Sequence, residues 1–216
     1  MVSVGVYTCE KFSGNLEVYK MTNKEIDIDE RVTLMTTYIS ILRGINVSGH
    51  KLVKMDALRK LYENLGFLNV TTYVQSGNVI FTSNDIELHE IERKISQQIE
   101  KEFGFEVPII ALTADKLKSV IENNPFLKDS DKDHAFLHVT FLSSIPDHYD
   151  AKAIENKKQE GEDVSFSDNA VYLHCPNGYG RTKLTNNFLE AKLKVGATTR
   201  NWKTTNELFK IAQKFI

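Results

Sequence analysis

The order of hydrophobic periods along the chain limits its possible folds more than any other feature. Between residues 36 and 112 the pattern runs strand, helix, strand, strand, helix, strand. Alternating apolar positions predict the strands, and apolar positions three or four apart predict the helices. The predicted strands are 37–42, 70–74, 79–81 and 107–112, and the helical stripes cover 55–65 and 88–99. This order is the split β-α-β arrangement called ferredoxin-like.

The second part of the chain repeats that order less regularly. Strands are predicted over 134–142, 164–166, 171–174 and 198–201, and helices over 150–158 and 184–193. Thr113 is expected to cap a connecting helix, and Thr204 and Glu207 have the spacing of a capping box that opens a last helix. We therefore predict an α+β fold: two ferredoxin-like (split β-α-β) halves in tandem, with a connecting helix and a C-terminal helix.

Turn and cap residues set the predicted boundaries. Asn84 or Asp85 is expected to cap the second helix, while Gly104 and Gly196 are expected to end helices. Residues 1–34 alternate weakly around a turn at 13–15 and then become charged over 24–31, which predicts an N-terminal extension, either a hairpin or flexible. The predicted domains are this extension (1–34), the first half (35–112), and the connecting helix, second half and last helix (113–216).

Composition narrows the possible partners and location. With 27 basic and 29 acidic residues the formal net charge is −2, so no overall field gathers nucleic acid, which is not the expected partner. The sequence shows neither an apolar run of roughly 18 residues nor a signal peptide, which predicts a cytoplasmic protein that does not enter a membrane. Cys9 and Cys175, and the pair His134 and His138, lack metal-ligand spacing, so no metal or cofactor is expected. The oligomeric state stays open.

Four polar clusters that contain glycine interrupt the apolar segments. They are LRGINVSGH (42–50), QSGN (75–78), PNGYGRTKLT (176–185) and ATTRNW (197–202). Glycine lets the backbone come close to a ligand, and loops of this kind usually carry function. In the split fold the first two clusters leave the same end of one sheet, and the last two share an edge of the other. Whether the two rims face each other is left open by the sequence.

The residues of these clusters favour an anion. Basic residues and hydroxyls next to helix N-termini form anion pockets, and side-chain amides give direction. The expected ligand-binding residues are Arg43, Asn46, Gln75, Ser76, Asn78, Arg181, Lys183, Arg200, Asn201 and Thr204. No catalytic residue is assigned.

Each of these residues also has a structural interpretation. Asn, Gly and Ser form turns, Thr204 can cap a helix, and Arg43 can tie its loop to a carboxylate. Phe81 and Phe141 are expected in the core, and Trp202 either anchors the last helix or stacks on a ring. Three functional hypotheses follow: a binding module for a small phosphorylated or carboxylated ligand, an enzyme that acts on such a ligand by positioning and charge stabilisation, and a protein-interaction module that uses a sheet edge.

The four clusters together resemble a bacterial family of unknown function, domain of unknown function 1697. The motifs that carry the resemblance are LRGINVSGH, QSGN, the Pro-x-Gly-x-Gly-Arg-x-Lys-Leu loop and T-x-RNW, in this order along residues 35–216. Ser48 stands where the family commonly has Gly, and Thr182 where Ser is frequent. The resemblance implies a double ferredoxin-like fold in a soluble bacterial protein, and it implies no settled activity, substrate or cofactor.

Overall fold

The computed structural model of the chain describes residues 6–10, 18–22 and 35–216. The chain divides into two compact units, Met1–Leu34 and Met35–Ile216. In the first unit, β1 (Val6–Glu10) pairs antiparallel with β2 (Val18–Thr22). The predicted turn at 13–15 and the charged stretch 24–31 lie outside the described residues.

The second unit begins with a four-stranded antiparallel sheet. Its elements in chain order are β3 (Met35–Leu42), α1 (Met55–Asn64), β4 (Leu68–Tyr73), β5 (Asn78–Asn84), α2 (Leu88–Phe103) and β6 (Ile109–Thr113). The strands lie in the order β4-β5-β3-β6. Helices connect β3 to β4 and β5 to β6, whereas a tight turn connects β4 to β5.

A second four-stranded antiparallel sheet follows. Its elements are α3 (Ala114–Glu122), β7 (Leu137–Leu142), α4 (Ala151–Glu155), β8 (Asp163–Phe166), β9 (Ala170–His174), α5 (Asn186–Leu193), β10 (Ala197–Asn201) and α6 (Trp202–Ala212). The strands lie in the order β10-β7-β9-β8. In each sheet the first and third strands in chain order lie at the centre. The fourth strand lies at the edge beside the first, and the second lies at the edge beside the third. The mixed helix and sheet class is confirmed.

Several predicted helix ends were correct and several were wrong. Thr113 caps α3, and Gly104 ends α2 in the left-handed region with φ 79°. Asn84 does not cap α2, because it continues β5 opposite Met35 and the helix begins at Leu88. Asp85 is not the cap either, since it lies in the segment that contacts the Tyr38 hydroxyl.

The second half required similar corrections. Lys194, with φ 61°, ends α5 in place of Gly196. The last helix begins at Trp202, so the capping box at Thr204 was wrong: the Asn201 side chain accepts a hydrogen bond from the Thr204 N–H and is the cap. His134 belongs to a 3₁₀ turn ahead of β7.

Three hydrophobic clusters hold the second unit together. One packs α1 and α2 on the outer face of the first sheet, and another packs α4 and α5 on the second sheet. The third combines residues of both sheets with α3 and α6, including Ile80, Phe141, Tyr172 and Trp202. Since burying each such large side chain stabilises by about 1.5–3 kcal/mol, this shared core joins the two sheets. Phe81 and Phe141 are core residues, as predicted. Trp202 packs in the core and anchors α6, which is one of the two roles that the sequence left open for it.

Candidate functional site

The first sheet brings the 42–50 and 75–78 clusters together at one end. The Leu42 N–H donates to the Gly77 carbonyl at 2.8 Å, so the end of β3 lies against the β4–β5 turn. Gly77 has φ 78°, and a Cβ there would lie 2.7 Å from both Leu42 Cβ and Ile45 Cδ1. Because the position lacks space for any side chain, only glycine allows this contact.

Asn46 holds the loop after β3 in place. Its Nδ2 donates to the carbonyls of Val53 and Gln75, both at 2.9 Å, and its Oδ1 accepts from the Val53 N–H at 2.8 Å. Asn46 itself has φ 55°, a conformation that asparagine tolerates better than most residues. The amide therefore organises the loop, which is the structural interpretation of this residue.

Arg200, at the end of β10, reaches across to the first sheet. Its Nε donates to Asn78 Oδ1 at 2.6 Å, and its Nη2 donates to the carbonyls of Leu42 at 2.7 Å and Ser76 at 2.8 Å. The remaining nitrogen, Nη1, donates to the Thr199 carbonyl at 3.0 Å. The two rims therefore do face each other, and Arg200 joins them.

Asn78 connects Arg200 to the β4–β5 turn. The side chain is fully buried, and its Nδ2 donates to the Tyr73 carbonyl at 3.0 Å and to Ser76 Oγ at 3.1 Å. The amide thus receives the guanidinium on one side and closes the turn on the other. Loss of either group would leave the other with a buried, unsatisfied polar atom.

Arg43 makes the second connection between the rims. Its Nη1 pairs with Glu190 Oε1 and its Nη2 donates to Asn187 Oδ1, both on α5. The same Glu190 oxygen accepts from the Ala197 N–H at 2.9 Å, which places the carboxylate at the start of β10. Sequence reasoning missed Glu190 and Asn187, since no pattern in the sequence relates an acid on one helix to an arginine 147 positions earlier.

Within residues 35–216, no carboxylate balances the charge of Arg200. Within residues 35–216 its hydrogen-bond partners are neutral oxygens, and it takes part in none of the ion pairs there. Burial lowers its pKa to about 10, with a smaller opposing effect from Tyr179. Arg200 stays protonated at neutral pH, and one N–H on Nη1 remains for a further acceptor.

Tyr179 completes the site from the 176–185 loop. Its hydroxyl donates to Thr199 Oγ1 at 3.0 Å, and Thr199 in turn donates to Asn186 Oδ1 at 2.6 Å. The ring stacks on His138 with 4.9 Å between centroids. Burial raises the pKa of Tyr179, and Arg43 and Arg200 act weakly in the opposite direction, so the phenol is protonated. Tyr179 is not one of the expected ligand-binding residues, although it lies inside the 176–185 cluster that the sequence indicates.

We define the junction site as Arg43, Ser76, Asn78, Tyr179 and Arg200. The other predicted residues lie apart from it or have structural contacts. Gln75, Arg181 and Lys183 are exposed, and the side chains of these three make no hydrogen bond with other described residues. The Arg181 carbonyl accepts from Gln159, which precedes β8 at the opposite edge of the sheet from β10. Asn201 and Thr204 form the cap of α6.

Buried thiols and metal ligands give no second site. Burial, together with the nearby Glu162, raises the pKa of Cys175 to about 12, so this thiol is protonated at neutral pH. In the part of the chain that the structure describes, no group of three His, Cys, Asp or Glu side chains has the arrangement of a metal site.

Comparison with known proteins places the chain in a family. The family described as "Protein of unknown function (DUF1697)" matches residues 35–172. The chain belongs to this family. The loop and strand that supply Tyr179 and Arg200 lie beyond the matched residues.

A solved structure shares the fold. It is that of the conserved bacterial protein SP0830 from Streptococcus pneumoniae, with 25% sequence identity and a TM-score of 0.62. The similarity covers 82% of this chain and 99% of that one. None of the curated proteins matches the chain at a significant level. Among the described residues, no helix has both the length and the apolar character needed to cross a membrane.

Proposed function

We propose that the chain binds a small anionic ligand, phosphorylated or carboxylated, at the junction site. The observation that carries the proposal is the state of Arg200, a half-buried guanidinium whose partners within residues 35–216 are neutral oxygens. Buried cations in proteins are usually paired with an anion, because moving a charged group out of water without a counter-charge costs free energy. A ligand oxygen at the remaining Nη1 N–H would supply that charge.

Neighbouring groups support an anion at this position. Burial raises the pKa of Tyr179, and the charges of Arg43 and Arg200 both oppose this effect weakly. Both cations therefore act on the Tyr179 hydroxyl, whose O–H is donated to Thr199 Oγ1. Arg43 is already paired with Glu190, so Arg200 is the main source of uncompensated charge.

The ionisation states favour binding over nucleophilic catalysis. The raised pKa values of Tyr179 and of Cys175, about 12 for the thiol, keep both groups protonated and unreactive at neutral pH. The junction site can therefore position and neutralise an anion but offers no activated nucleophile among these residues.

The proposal includes an origin for the site. We interpret the two sheets, with their shared strand order, as tandem ferredoxin-like halves over 35–112 and 113–216 that arose by duplication. In this interpretation a rim from each half contributes to one site in a cytoplasmic bacterial protein.

Ligand-dependent thermal stability tests the proposal. A ligand that binds only the folded chain raises the free energy of unfolding by about 2.7 kcal/mol at a hundredfold excess over its Kd. We expect phosphate, pyrophosphate, nucleotides or sugar phosphates to raise the Tm of the parent chain. Arg200→Gln, which removes the charge but keeps an amide, should abolish this increase.

The comparison is made within each variant, with and without ligand, because Arg200 also holds the two rims together and its loss lowers the starting Tm. Arg59→Gln is the matched control: it removes the same charge from the exposed face of α1, where Arg59 pairs with Asp56. An increase in Tm that survives in Arg200→Gln, or no increase with any anion of the panel, contradicts the proposed function.

A further inference from the structure

The segments that form the two rims carry charge of one sign. Residues 42–54, 74–78, 175–185 and 198–203 contain seven lysines and arginines and no aspartate or glutamate, although acidic residues outnumber basic ones by 29 to 27 in the whole chain. We call these seven residues the basic rim: Arg43, Lys51, Lys54, Arg181, Lys183, Arg200 and Lys203.

Hydrogen bonds join the segments that carry the basic rim. The β4–β5 turn contacts the end of β3 through the bond from Leu42 to Gly77, and Arg200 contacts the same turn at Ser76. Tyr179 connects the 175–185 segment to Thr199. The four segments therefore contact one another through Leu42, Ser76, Tyr179 and their partners, while Arg181 and Lys183 lie farther along the 175–185 segment.

Most of this charge is exposed and has no counter-charge. Lys54, Arg181, Lys183 and Lys203 are exposed and take part in none of the ion pairs within residues 35–216. Lys51 donates to a carbonyl, that of Glu106, at 2.6 Å. In the described residues, the ion pair of the basic rim is the one between Arg43 and Glu190. The loop after β3 and the loop before α5 therefore both carry positive charge that no ion pair within residues 35–216 balances, apart from that of Arg43.

We propose that the basic rim binds the phosphodiester backbone of a nucleic-acid strand, with one phosphate at the junction site and neighbouring phosphates on the flanking cations. This inference rests on the proposed function and deepens it, because it names the ligand. Cations spread over three of these segments match a repeated charge better than a single small anion.

The arginines of the basic rim fit a phosphate, and one exposed amide favours nucleic acid over an acidic peptide. Three of the seven cations are arginines, whose forked donors fit the oxygens of a phosphate. Gln75 is exposed and directly precedes Ser76, whose carbonyl Arg200 contacts. Its amide can donate to and accept from a base edge. Carboxylate side chains of a peptide only accept hydrogen bonds, so they would use the donors of that amide and leave its oxygen without a partner.

Fluorescence anisotropy with the full chain tests the inference. The probes are labelled single-stranded RNA, single-stranded DNA and a DNA duplex of one length, each titrated over a series of salt concentrations, with labelled poly-glutamate as the acidic peptide. We expect nucleic acid to bind with an affinity that falls as salt rises. On a single strand, log K should fall by about 0.7 per phosphate contact for each tenfold increase in salt concentration. Arg181→Glu/Lys183→Glu should weaken binding at low salt by about tenfold or more and reduce the slope by about 1.4.

The matched control is Lys94→Glu/Lys101→Glu, which makes the same charge change on the exposed face of α2. Equal losses in the two double variants, no binding of any oligonucleotide, or poly-glutamate binding as tightly as nucleic acid each overturns the inference. A phosphate-dependent Tm increase that requires Arg200, without oligonucleotide binding, overturns the inference and leaves the proposed function intact.

Discussion

The rim of the first sheet and the 176–185 loop of the second have similar compositions but use their polar groups differently. In the first rim, the side-chain amides of Asn46 and Asn78 donate to neighbouring backbone carbonyls, and that of Asn78 also accepts from Arg200. In the second-sheet loop, Arg181 and Lys183 are exposed, and their side chains make no hydrogen bond with other described residues. Glycine and polar residues alone therefore do not distinguish a framework, whose side chains bond within the protein, from a binding surface, whose side chains stay exposed.

Arg200 belongs to both regions. It comes from the second sheet, yet four of its hydrogen bonds go to the end of β3 and the β4–β5 turn. The first rim thus fixes the position of a cation that the second supplies. Loss of the framework is therefore expected to affect stability and ligand binding together, whereas loss of the exposed cations affects binding alone.

Gly77→Ala should have the largest effect and would break the framework. A Cβ at φ 78° and 2.7 Å from Leu42 and Ile45 requires both backbone strain and overpacking, about 2–4 kcal/mol in total. Urea denaturation measures the loss. Gly180→Ala in the other loop is the control, because a Cβ there meets no atom within 4 Å. Its free energy of unfolding should change by less than about 0.5 kcal/mol, and equal losses at both positions would contradict the comparison.

Asn78→Ala should have the next largest effect. The substitution leaves the Nε donor of Arg200 and the Tyr73 carbonyl without these partners, a cost of about 1–3 kcal/mol in chemical denaturation. Asn177→Ala provides the contrast, because Asn177 is exposed and its bond to the Glu160 carbonyl is long at 3.5 Å. We expect less than about 0.5 kcal/mol there. A loss at Asn177 as large as at Asn78 would show that both loops are frameworks.

A pH dependence at His138 should be the smallest effect. Burial lowers the pKa of His138 below its ordinary value of 6.5, so the unfolded chain takes up the proton first as pH falls. Stability should therefore decrease as pH drops from about 7 toward the lowered pKa of the folded state. His138→Phe keeps the ring on Tyr179 and should flatten this dependence relative to the parent, while His134→Gln, at an exposed position, should not. Parallel curves for all three proteins would rule out His138 as the source.

The sequence predicted most of the elements of the fold. The strands and helices of the first half appear where periodicity placed them, because each period reports which face of an element is buried. Helix ends were predicted less well. Asn84 and Thr204 have suitable side chains for caps, but sheet pairing extended β5 through Asn84, and Asn201 took the cap of α6.

The candidate site was predicted in part. The clusters around Arg43, Ser76, Asn78 and Arg200 were recognised from glycine and polar spacing, and the structure brings them together. Their partners were not predicted. Glu190 lies on a helix whose sequence resembles any solvated face, and its role depends on the position of Arg43 in space.

The sequence alone determined the order of elements, the sites of the tight turns and the excess of positive charge in three segments, because these follow from local periodicity, backbone preference and composition. The tertiary structure alone decided that the two rims meet, that Glu190 neutralises Arg43 and that Arg200 has neutral partners within the described residues. Those outcomes depend on which side chains the shared core between the sheets brings within hydrogen-bond distance, and that distance is unrelated to separation along the chain.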